Sequence, residues 1–282
     1  MKIIRSVKEM KNWTYEIRQE GGTVGFVPTM GFLHEGHLSL VRESTSKCNH
    51  TVVSIFVNAK QFGPNEDLDT YPIDFEGDKK QLESLNVDVL FYPSHEEIYP
   101  EGHATFVSVE ELSGRLCGKS RPGFFRGVTT VVIKLFNIVK PDIAFFGEKD
   151  RQQLGVIKKM VTDLNLDLSI KGMPIIRDSD GLALSSRNDY LNKEDRDSSL
   201  SLSKALNKAK LMFAEGETSA KVIKGEMTKI VEKEKNTRID YISLSHPENF
   251  KEMGKAVSYS LVALAVFVGK TRLIDNCILG SR

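Results

Sequence analysis

The sequence predicts an α/β fold in which a doubly wound parallel sheet precedes a smaller C-terminal α+β domain. Strand-like and helix-like segments alternate through the first two thirds of the chain. Residues 51–57, TVVSIFV, are almost continuously apolar and β-branched, as in a central strand buried on both faces. After Pro174 the pattern changes to two charged amphipathic helices and two alternating strands, which is typical of a helix-covered antiparallel sheet.

The predicted elements follow from hydrophobic spacing, β-branched runs and Gly/Pro breaks. Residues 1–175 form the Rossmann-like domain, and residues 176–282 form the C-terminal α+β domain. In the first domain the predicted strands are 24–27, 51–57, 87–92, a short edge piece at 106–109, 143–146 and 166–173. The first predicted helix of this domain begins at residue 37. Three further helices are predicted at 78–85, at 127–139 and in a segment that ends at residue 161. The second domain has helices at 193–214 and 219–235 and strands at 239–244 and 257–268.

Composition excludes several classes of protein. Lys plus Arg number 39 against 38 Asp plus Glu, so we expect no nucleic-acid partner. The N-terminal segment lacks the apolar core of a signal peptide, and no apolar run is long enough to cross a bilayer, so we expect no membrane partner. Cys48, Cys117 and Cys277 are too scattered for a zinc site or disulfide framework and predict a cytoplasmic protein.

Residues 23–41, TVGFVPTMGFLHEGHLSLV, put two histidines at a predicted strand-to-helix turn. The apolar run before Pro28 is typical of a buried strand, and helical spacing begins at His37. A helix start offers free backbone N–H groups and a positive dipole end, which favour a phosphate. His34 and His37 can face the same anion, and Gly36 lets the backbone approach it.

The His-x-x-His spacing alone also suits a helix cap, a surface pair or half of a metal site, but the strand–turn–helix context favours the phosphate site. Two other phosphate-loop patterns fail. Residues 114–120, GRLCGKS, are one residue too short and precede Pro122 where a helix should begin, and residues 268–271, VGKT, lack the first glycine. For the remaining histidines we expect surface positions: His50, His95, His103 and His246.

Polar side chains after two other predicted strands should reach the same sheet edge. Lys149, in FGEKD, is either a solvated loop charge or a cation that neutralises phosphoryl oxygens. Gln152 and Gln153 on the following helix are either helix surface or amides that read hydroxyls and carboxylates. Gln61 lies in the loop after strand 51–57.

A third candidate segment, residues 181–188 with the sequence GLALSSRN, lies at the predicted domain junction. A turn is the default interpretation of Ser-Ser-Arg. At a junction, however, such a loop can close over a triphosphate with its hydroxyls, its backbone N–H groups and the Arg187 guanidinium.

Taken together, these segments resemble the pantothenate synthetase (pantoate–β-alanine ligase) family over nearly the whole chain. The matching pieces are PTMGFLHEGH, FVNAKQFGPNEDLDTYP, RPGFFRGVTTVVIKLFNIVKPD, FGEKDRQQL, DGLALSSRNDYL and TRLIDN. The first is similar to the HIGH signature of nucleotidyl-transferring enzymes, and LALSSRN is similar to that family's KMSKS loop. Three residues depart from the family pattern: Ala59 replaces the usual Pro, Phe124 the usual His, and Arg151 the usual Tyr, Phe or Ala.

The resemblance implies an enzyme that joins (R)-pantoate to β-alanine with ATP and Mg²⁺, releasing AMP and pyrophosphate through a pantoyl adenylate. It also implies a homodimer. His34, His37 and Lys149 would be catalytic, with His37 as a proton donor. The implied ATP-binding residues are Met30, Gly31, Phe32, Leu33, His34, Glu35, Gly36, His37, Gly147, Glu148, Lys149, Asp150, Ile176, Leu184, Ser185, Ser186 and Arg187.

The resemblance further assigns the two smaller substrates and the metal. Gln61 and Gln153 would bind pantoate, and Gln61 would also lie near β-alanine. Asp78 and Gln81 are the implied contacts for Mg²⁺, which prefers oxygen ligands.

Two rival functions remain. Another nucleotidyltransferase would leave AMP or CMP on its product, and a tRNA-charging enzyme would need an RNA-binding region, which the near-neutral charge and short C-terminal part disfavour. The second rival is a nucleotide-binding module without activity. His34, His37, Lys149 and Arg187 are all intact, which disfavours that alternative.

Overall fold

The computed structural model describes residues 1–64 and 66–280 and confirms the predicted α/β class. A parallel sheet contains the first six strands, which are β1 (Lys2–Ile4), β2 (Val24–Thr29), β3 (His50–Ile55), β4 (Val89–Phe91), β5 (Ile143–Gly147) and β6 (Ser169–Met173). Their order across the sheet is β1-β4-β3-β2-β5-β6. The order reverses between β2 and β5, where open parallel sheets bind ligands beyond the carboxyl ends of their strands.

Helices cover both faces of this sheet, as in a doubly wound fold. They are α1 (Val7–Gln19), α2 (Glu35–Lys47), α3 (Phe75–Ser84), α4 (His95–Ile98), α5 (Leu116–Ser120), α6 (Phe124–Val139) and α7 (Arg151–Asp163). Successive strand residues enter different cores: Phe26 packs with α1, α6 and α7, whereas Val27 packs with α2 and α3. The buried strand at β3 is central, as predicted.

Two local predictions for this domain need correction. Helix α2 begins at Glu35 rather than at His37, because His34 takes its N-cap position. Residues 106–109 belong to neither sheet, since side chains of α6 bind their backbone: Thr130 Oγ1 accepts from Val107 N at 3.0 Å and Thr129 Oγ1 donates to Val107 O at 2.6 Å. The hydrophobic pattern also left β1 and α1 unassigned.

The C-terminal part contains α8 (Lys193–Ala214), α9 (Ala220–Glu232) and three antiparallel strands, β7 (Thr237–Ser245), β8 (Leu261–Val268) and β9 (Thr271–Ile278). Both helices and the first two strands match the predicted α+β pattern. Strand β8 is central and almost fully buried. The parallel sheet ends at Met173 and the antiparallel sheet begins at Thr237, and the boundary at residue 175 stays a prediction.

The two parts pack together through the antiparallel sheet. Tyr241 of β7 and Ile274 of β9 lie against the core that includes α6 and α7. None of the helices in the described ranges 1–64 and 66–280 is long and apolar enough to cross a membrane.

Candidate active site

A cavity of about 850 Å³ opens at the switch point of the parallel sheet and is closed on one side by β8 and β9. Most of the predicted site residues line it, although they come from four separate parts of the sequence. These residues are Met30, His34, Gly36, His37, Gln61, Gly147, Lys149, Asp150, Gln153, Ile176, Leu184, Ser185, Ser186 and Arg187. Five predicted ATP-binding residues do not line the cavity: Gly31, Phe32, Leu33, Glu35 and Glu148.

The two imidazoles cap the start of α2 and are oriented by it. His34 Nδ1 accepts from Gly36 N at 3.1 Å, and His37 Nδ1 accepts from His34 N at 3.4 Å. Since both Nδ1 atoms are acceptors, each neutral ring carries its proton on Nε2. The ring centroids are 4.1 Å apart. A Cβ on Gly36 would come within 2.8 Å of the His34 ring, so glycine makes room for the imidazole rather than for a ligand.

Both imidazoles are neutral near pH 7. Burial lowers the pKa of His34 to about 4, and the Lys149 charge contributes to the decrease. Burial also lowers the pKa of His37 well below 6.5, with smaller contributions from His34 and Lys149. The pair therefore acts as two N–H donors with fixed orientation, and such donors can stabilise charge that develops on a phosphoryl group.

Lys149 supplies a positive charge on the opposite wall of the switch point. It lies in a short 3₁₀ helix, Glu148–Asp150, between β5 and α7. Its Nζ is 3.9 Å from Asp150 Oδ2, and its side chain is only 20% exposed. Glu148 turns away from the cavity and pairs with Arg151, with 3.0 Å between Oε1 and Nη1.

The predicted junction loop folds back as a short hairpin that ends beside the histidines. Leu184 N donates to Ile176 O at 3.0 Å, which brings the following serines over the cavity. Ser186 Oγ donates to Phe32 O at 3.2 Å and ties this loop to the turn before His34. The next residue, Arg187, is paired with Asp67.

Gln61 lines the cavity in a fixed position, with its Nε2 donating to Met30 Sδ at 3.0 Å. Asn58 Nδ2 donates to Gln61 Oε1 at 3.0 Å and to Gly127 O at 3.1 Å, while Tyr99 Oη donates to Asn58 Oδ1 at 2.9 Å. A Cβ on Gly127 would lie 2.2 Å from Lys60 O, so only glycine lets α6 pack this closely against the loop carrying Gln61.

The two adjacent glutamines of α7 have different surroundings. Gln152 is buried and binds backbone on the neighbouring segment: its Oε1 accepts from Cys117 N at 2.9 Å, and its Nε2 donates to Leu112 O at 2.8 Å and Arg115 O at 2.6 Å. Gln152 therefore holds α7 against α5. Gln152 also borders the cavity, and Gln153 lines it, as the sequence predicted.

Asp78 and Gln81 lie outside the cavity lining. Both carboxylate oxygens of Asp78 are already used: Oδ2 accepts from Phe32 N at 2.8 Å and Oδ1 from Leu33 N at 2.6 Å. Burial raises the pKa of this carboxyl group. Across residues 1–64 and 66–280, no three His, Cys, Asp or Glu side chains cluster in a way that could hold a metal ion. The geometry fits Asp78 as a support for the histidine turn and does not fit a metal held by the protein.

Several cavity residues were not assigned from sequence. Arg121 pairs with Glu66 through two short hydrogen bonds, 2.6 Å from Nε and 2.5 Å from Nη2, and stacks over Phe124 with its Cζ 3.7 Å from the ring centroid. Asp67 and Tyr71 lie beside Arg187. The sequence did offer one signal for these residues, because two acids, Glu66 and Asp67, lie together in a loop at the ligand-binding edge of the sheet.

Paired imidazole donors, a lysine and a closing arginine loop at the switch point define an ATP-using enzyme of the nucleotidyl-transferring α/β class. Within that class the chain belongs to the pantoate-beta-alanine ligase family, whose model matches residues 2–278. Curated relatives called pantothenate synthetase are 54% identical in Caldicellulosiruptor bescii, covering 100% of both chains, and 52% identical in Thermotoga petrophila, covering 99% of this chain and 100% of the relative.

Solved structures agree with this assignment. A pantothenate synthetase from Thermus thermophilus is 41% identical, with a TM-score of 0.93 over 98% of this chain and 99% of that one. A pantoate-beta-alanine ligase from Francisella tularensis, complexed with an ATP species and β-alanine, is 34% identical, with a TM-score of 0.84 over 100% and 99% of the two chains. The protein is therefore an ATP-binding ligase of the pantothenate-forming type.

Proposed function

We propose that the protein condenses (R)-pantoate with β-alanine in two steps that share one cavity. In the first, a pantoate carboxylate oxygen bonds to the α-phosphorus of ATP, and the bond to the leaving pyrophosphate breaks. In the second, the β-alanine nitrogen bonds to the pantoyl carbonyl carbon, AMP leaves with the former carboxylate oxygen, and the amine releases a proton. The observation that carries this proposal is the convergence of His37, Lys149 and Gln153 on one cavity.

The proposed ATP site combines the histidine turn, the lysine loop and the junction hairpin. His34 and His37 donate Nε2–H groups to the α-phosphate, and Lys149 neutralises phosphoryl oxygens. The negative charge of ATP opposes the burial that lowers the pKa of His37, so the bound nucleotide favours protonation of that imidazole. The other contacts proposed for ATP line the same cavity: Met30, Gly36, Gly147, Asp150, Ile176, Leu184, Ser185, Ser186 and Arg187. The family resemblance also implies Gly31, Phe32, Leu33, Glu35 and Glu148, whose positions outside the cavity lining disfavour direct contact with ATP.

The proposed pantoate site uses two neutral amides. Gln61 and Gln153 can donate to a carboxylate and accept from a hydroxyl without adding charge. Gln61 also lies near the proposed β-alanine position. The Francisella tularensis relative was crystallised with β-alanine, which supports a binding site for that substrate in this fold.

Mg²⁺ is proposed as part of the nucleotide substrate. It keeps water ligands and binds nucleotide phosphates, so it does not require a protein cage. The family resemblance implies Asp78 and Gln81 as metal contacts. The bonds of Asp78 to the histidine turn disfavour the first, and the position of Gln81 outside the cavity lining disfavours the second. We further propose that the protein is a cytoplasmic homodimer. Light scattering would measure the mass of the particle in solution.

Isotope exchange tests the two-step reaction. Labelled pyrophosphate should exchange into ATP when pantoate is present and β-alanine is absent. An adenylate intermediate allows the first step to run forward and backward without the second substrate. Acetate and β-alanine in place of pantoate serve as controls. Exchange that requires β-alanine, or AMP that remains attached to the final product, would contradict the mechanism.

A further inference from the structure

Strand β9 of the C-terminal sheet carries two consecutive polar residues that bind two different loops of the ATP site. Asp275 and Asn276 are 3% and 6% exposed, and both lie at the cavity wall. Neighbouring residues of a strand point to opposite faces, so the pair can reach two separate segments.

Asn276 binds the loop that carries Lys149. Its Nδ2 donates to Glu148 O at 3.0 Å and to Lys149 O at 2.9 Å. Both hydrogens of one amide are therefore used on two consecutive carbonyl groups. These bonds fix the backbone of the 3₁₀ helix from which the lysine side chain extends.

Asp275 binds the base of the junction hairpin through Arg177. Arg177 Nη1 donates to Asp275 Oδ2 at 2.6 Å and Nη2 to Oδ1 at 2.9 Å, and Nη1 also donates to Gly181 O at 3.0 Å. Hydrogen bonding to Asp275 raises the pKa of Arg177, so the guanidinium stays charged. The hairpin then continues into Ser185, Ser186 and Arg187.

We propose that Asn276 and Asp275 are positioning residues for ATP, acting through the backbone of Lys149 and through the junction hairpin. The proposal rests on the ATP site proposed above. The pairing of β2 with β5 places the lysine loop next to the histidine turn, and strand β9 adds a second anchor, from the antiparallel sheet, that fixes the backbone of the lysine loop. A displacement of about 1 Å in such a group can lower a rate by about a hundredfold.

The test compares Asn276→Ala with Cys277→Ala, the next residue of the same strand. Cys277 is 8% exposed and packs in the core of the C-terminal domain, away from the lysine loop. We expect Asn276→Ala to raise the KM for ATP and to lower the pyrophosphate-exchange rate by about 10–100-fold. The KM for β-alanine should change less than about threefold. Cys277→Ala should lower the Tm comparably and leave the KM for ATP unchanged.

A double-mutant cycle separates positioning from general destabilisation. If Asn276 acts through Lys149, Asn276→Ala should have little further effect on exchange in a Lys149→Met background. Asn276→Gln retains the amide on a longer arm and should recover part of the rate. If Asn276→Ala does not fold, Asn276→Gln is compared with Cys277→Ala in its place.

The outcomes distinguish the inference from the function on which it rests. Full additivity in the cycle, or kinetics of Asn276→Ala that match those of Cys277→Ala, would overturn the positioning role while leaving the ATP site intact. Unchanged exchange in Lys149→Met alone would instead remove Lys149 from the ATP site, and with it the positioning role of Asn276.

Discussion

Arg187 and Asp67 form a two-pronged ion pair beside the cavity, with 2.9 Å from Nε to Oδ2 and 2.9 Å from Nη2 to Oδ1. Burial alone would raise the pKa of Asp67, but the hydrogen bonds and charge of Arg187 outweigh it and hold that pKa below its usual value. A carboxylate and a phosphate offer a guanidinium fork similar geometry. Asp67 thus occupies the binding face that Arg187 would present to ATP.

We predict that Asp67→Asn tightens ATP binding, by up to about tenfold or about 1.4 kcal/mol. The substitution keeps the side-chain shape but removes the charge that competes with phosphate for Arg187. Calorimetric titration of the folded variant with a non-hydrolysable ATP analogue measures the effect. Arg187→Lys is the companion variant, and it should weaken ATP binding because a lysine cannot form the fork. Weaker ATP binding by Asp67→Asn would show that the acid supports the bound state.

A second prediction concerns His37 and the chemical step. His37→Ala should lower the single-turnover adenylation rate by about 10²–10⁴-fold, the range for a group that donates to developing charge. The loss of thermal stability in this variant should be far too small to explain the loss of rate. His95→Ala, a histidine outside the cavity lining, is the matched control and should leave the rate unchanged. Normal adenylation in folded His37→Ala would exclude the residue from the reaction.

The lowered pKa of the half-buried His34 imidazole also predicts how stability changes with pH. The folded-state pKa of His34 is about 4, below its ordinary 6.5, so the unfolded chain binds more protons between these values. This contribution to stability is complete above pH 6.5 and is lost as the pH falls toward 4. The full difference is roughly 3 kcal/mol. In urea unfolding at several pH values, the free energy of unfolding should therefore fall less steeply with decreasing pH for His34→Gln than for the unsubstituted protein. Equal pH dependence in the two proteins would contradict the low pKa of His34.

The adjacent glutamines allow a paired test of the pantoate site. Gln153→Ala should weaken pantoate binding by about 1–3 kcal/mol, the usual cost of an unpaired polar partner, with much less change for ATP. Gln152→Ala should instead destabilise the fold by a similar amount, because Gln152 binds the backbone at Cys117 and at two carbonyl groups. Titration calorimetry and urea unfolding separate the effects. A reversed pattern, with ATP binding weakened by Gln153→Ala, would move Gln153 to the nucleotide site.

Phe124 is the position at which the family resemblance implies a histidine, and the centroid of its ring lies 3.7 Å from the Arg121 guanidinium carbon. We predict that Phe124→Ala lowers the free energy of unfolding, measured by urea titration, by roughly 0.5–1 kcal/mol, which is the usual contribution of a cation–π contact. Phe124→His keeps an aromatic ring and should change kcat by less than about threefold. A large gain in kcat for Phe124→His would indicate that the missing imidazole limits this enzyme.

The sequence predicted the fold because local patterns and sheet topology agree along most of the chain. The continuous β-branched run at β3 and the long amphipathic pattern of α8 are strong local signals, and the structure confirms both. Strand β1 is only three residues long, too short for a periodic signal. Residues 106–109 have strand-like residues, but Thr129 and Thr130 bind their backbone, and sequence alone does not reveal such a tertiary contact.

For the site, sequence identified side chains but not their orientation. A helix cap was one alternative for His34 and His37 in the sequence, and the structure shows that the two imidazoles cap α2 and also line the cavity. Asn276 contacts the lysine loop across 127 residues of sequence, so no local window contains that relationship. Ion pairs between Glu66 and Arg121 or between Asp67 and Arg187 are likewise long-range.

The anchoring of the lysine loop by Asn276 makes the ATP site an indicator of whether the antiparallel sheet is folded. Contacts that are distant in sequence form late during folding, and they are lost when a subdomain opens locally. Mild denaturant that loosens β9 would then abolish adenylation while amides of the parallel sheet still resist hydrogen exchange. A partly folded molecule of this kind would keep the histidine turn yet be unable to activate pantoate, so ATP would not be consumed by an incompletely assembled enzyme.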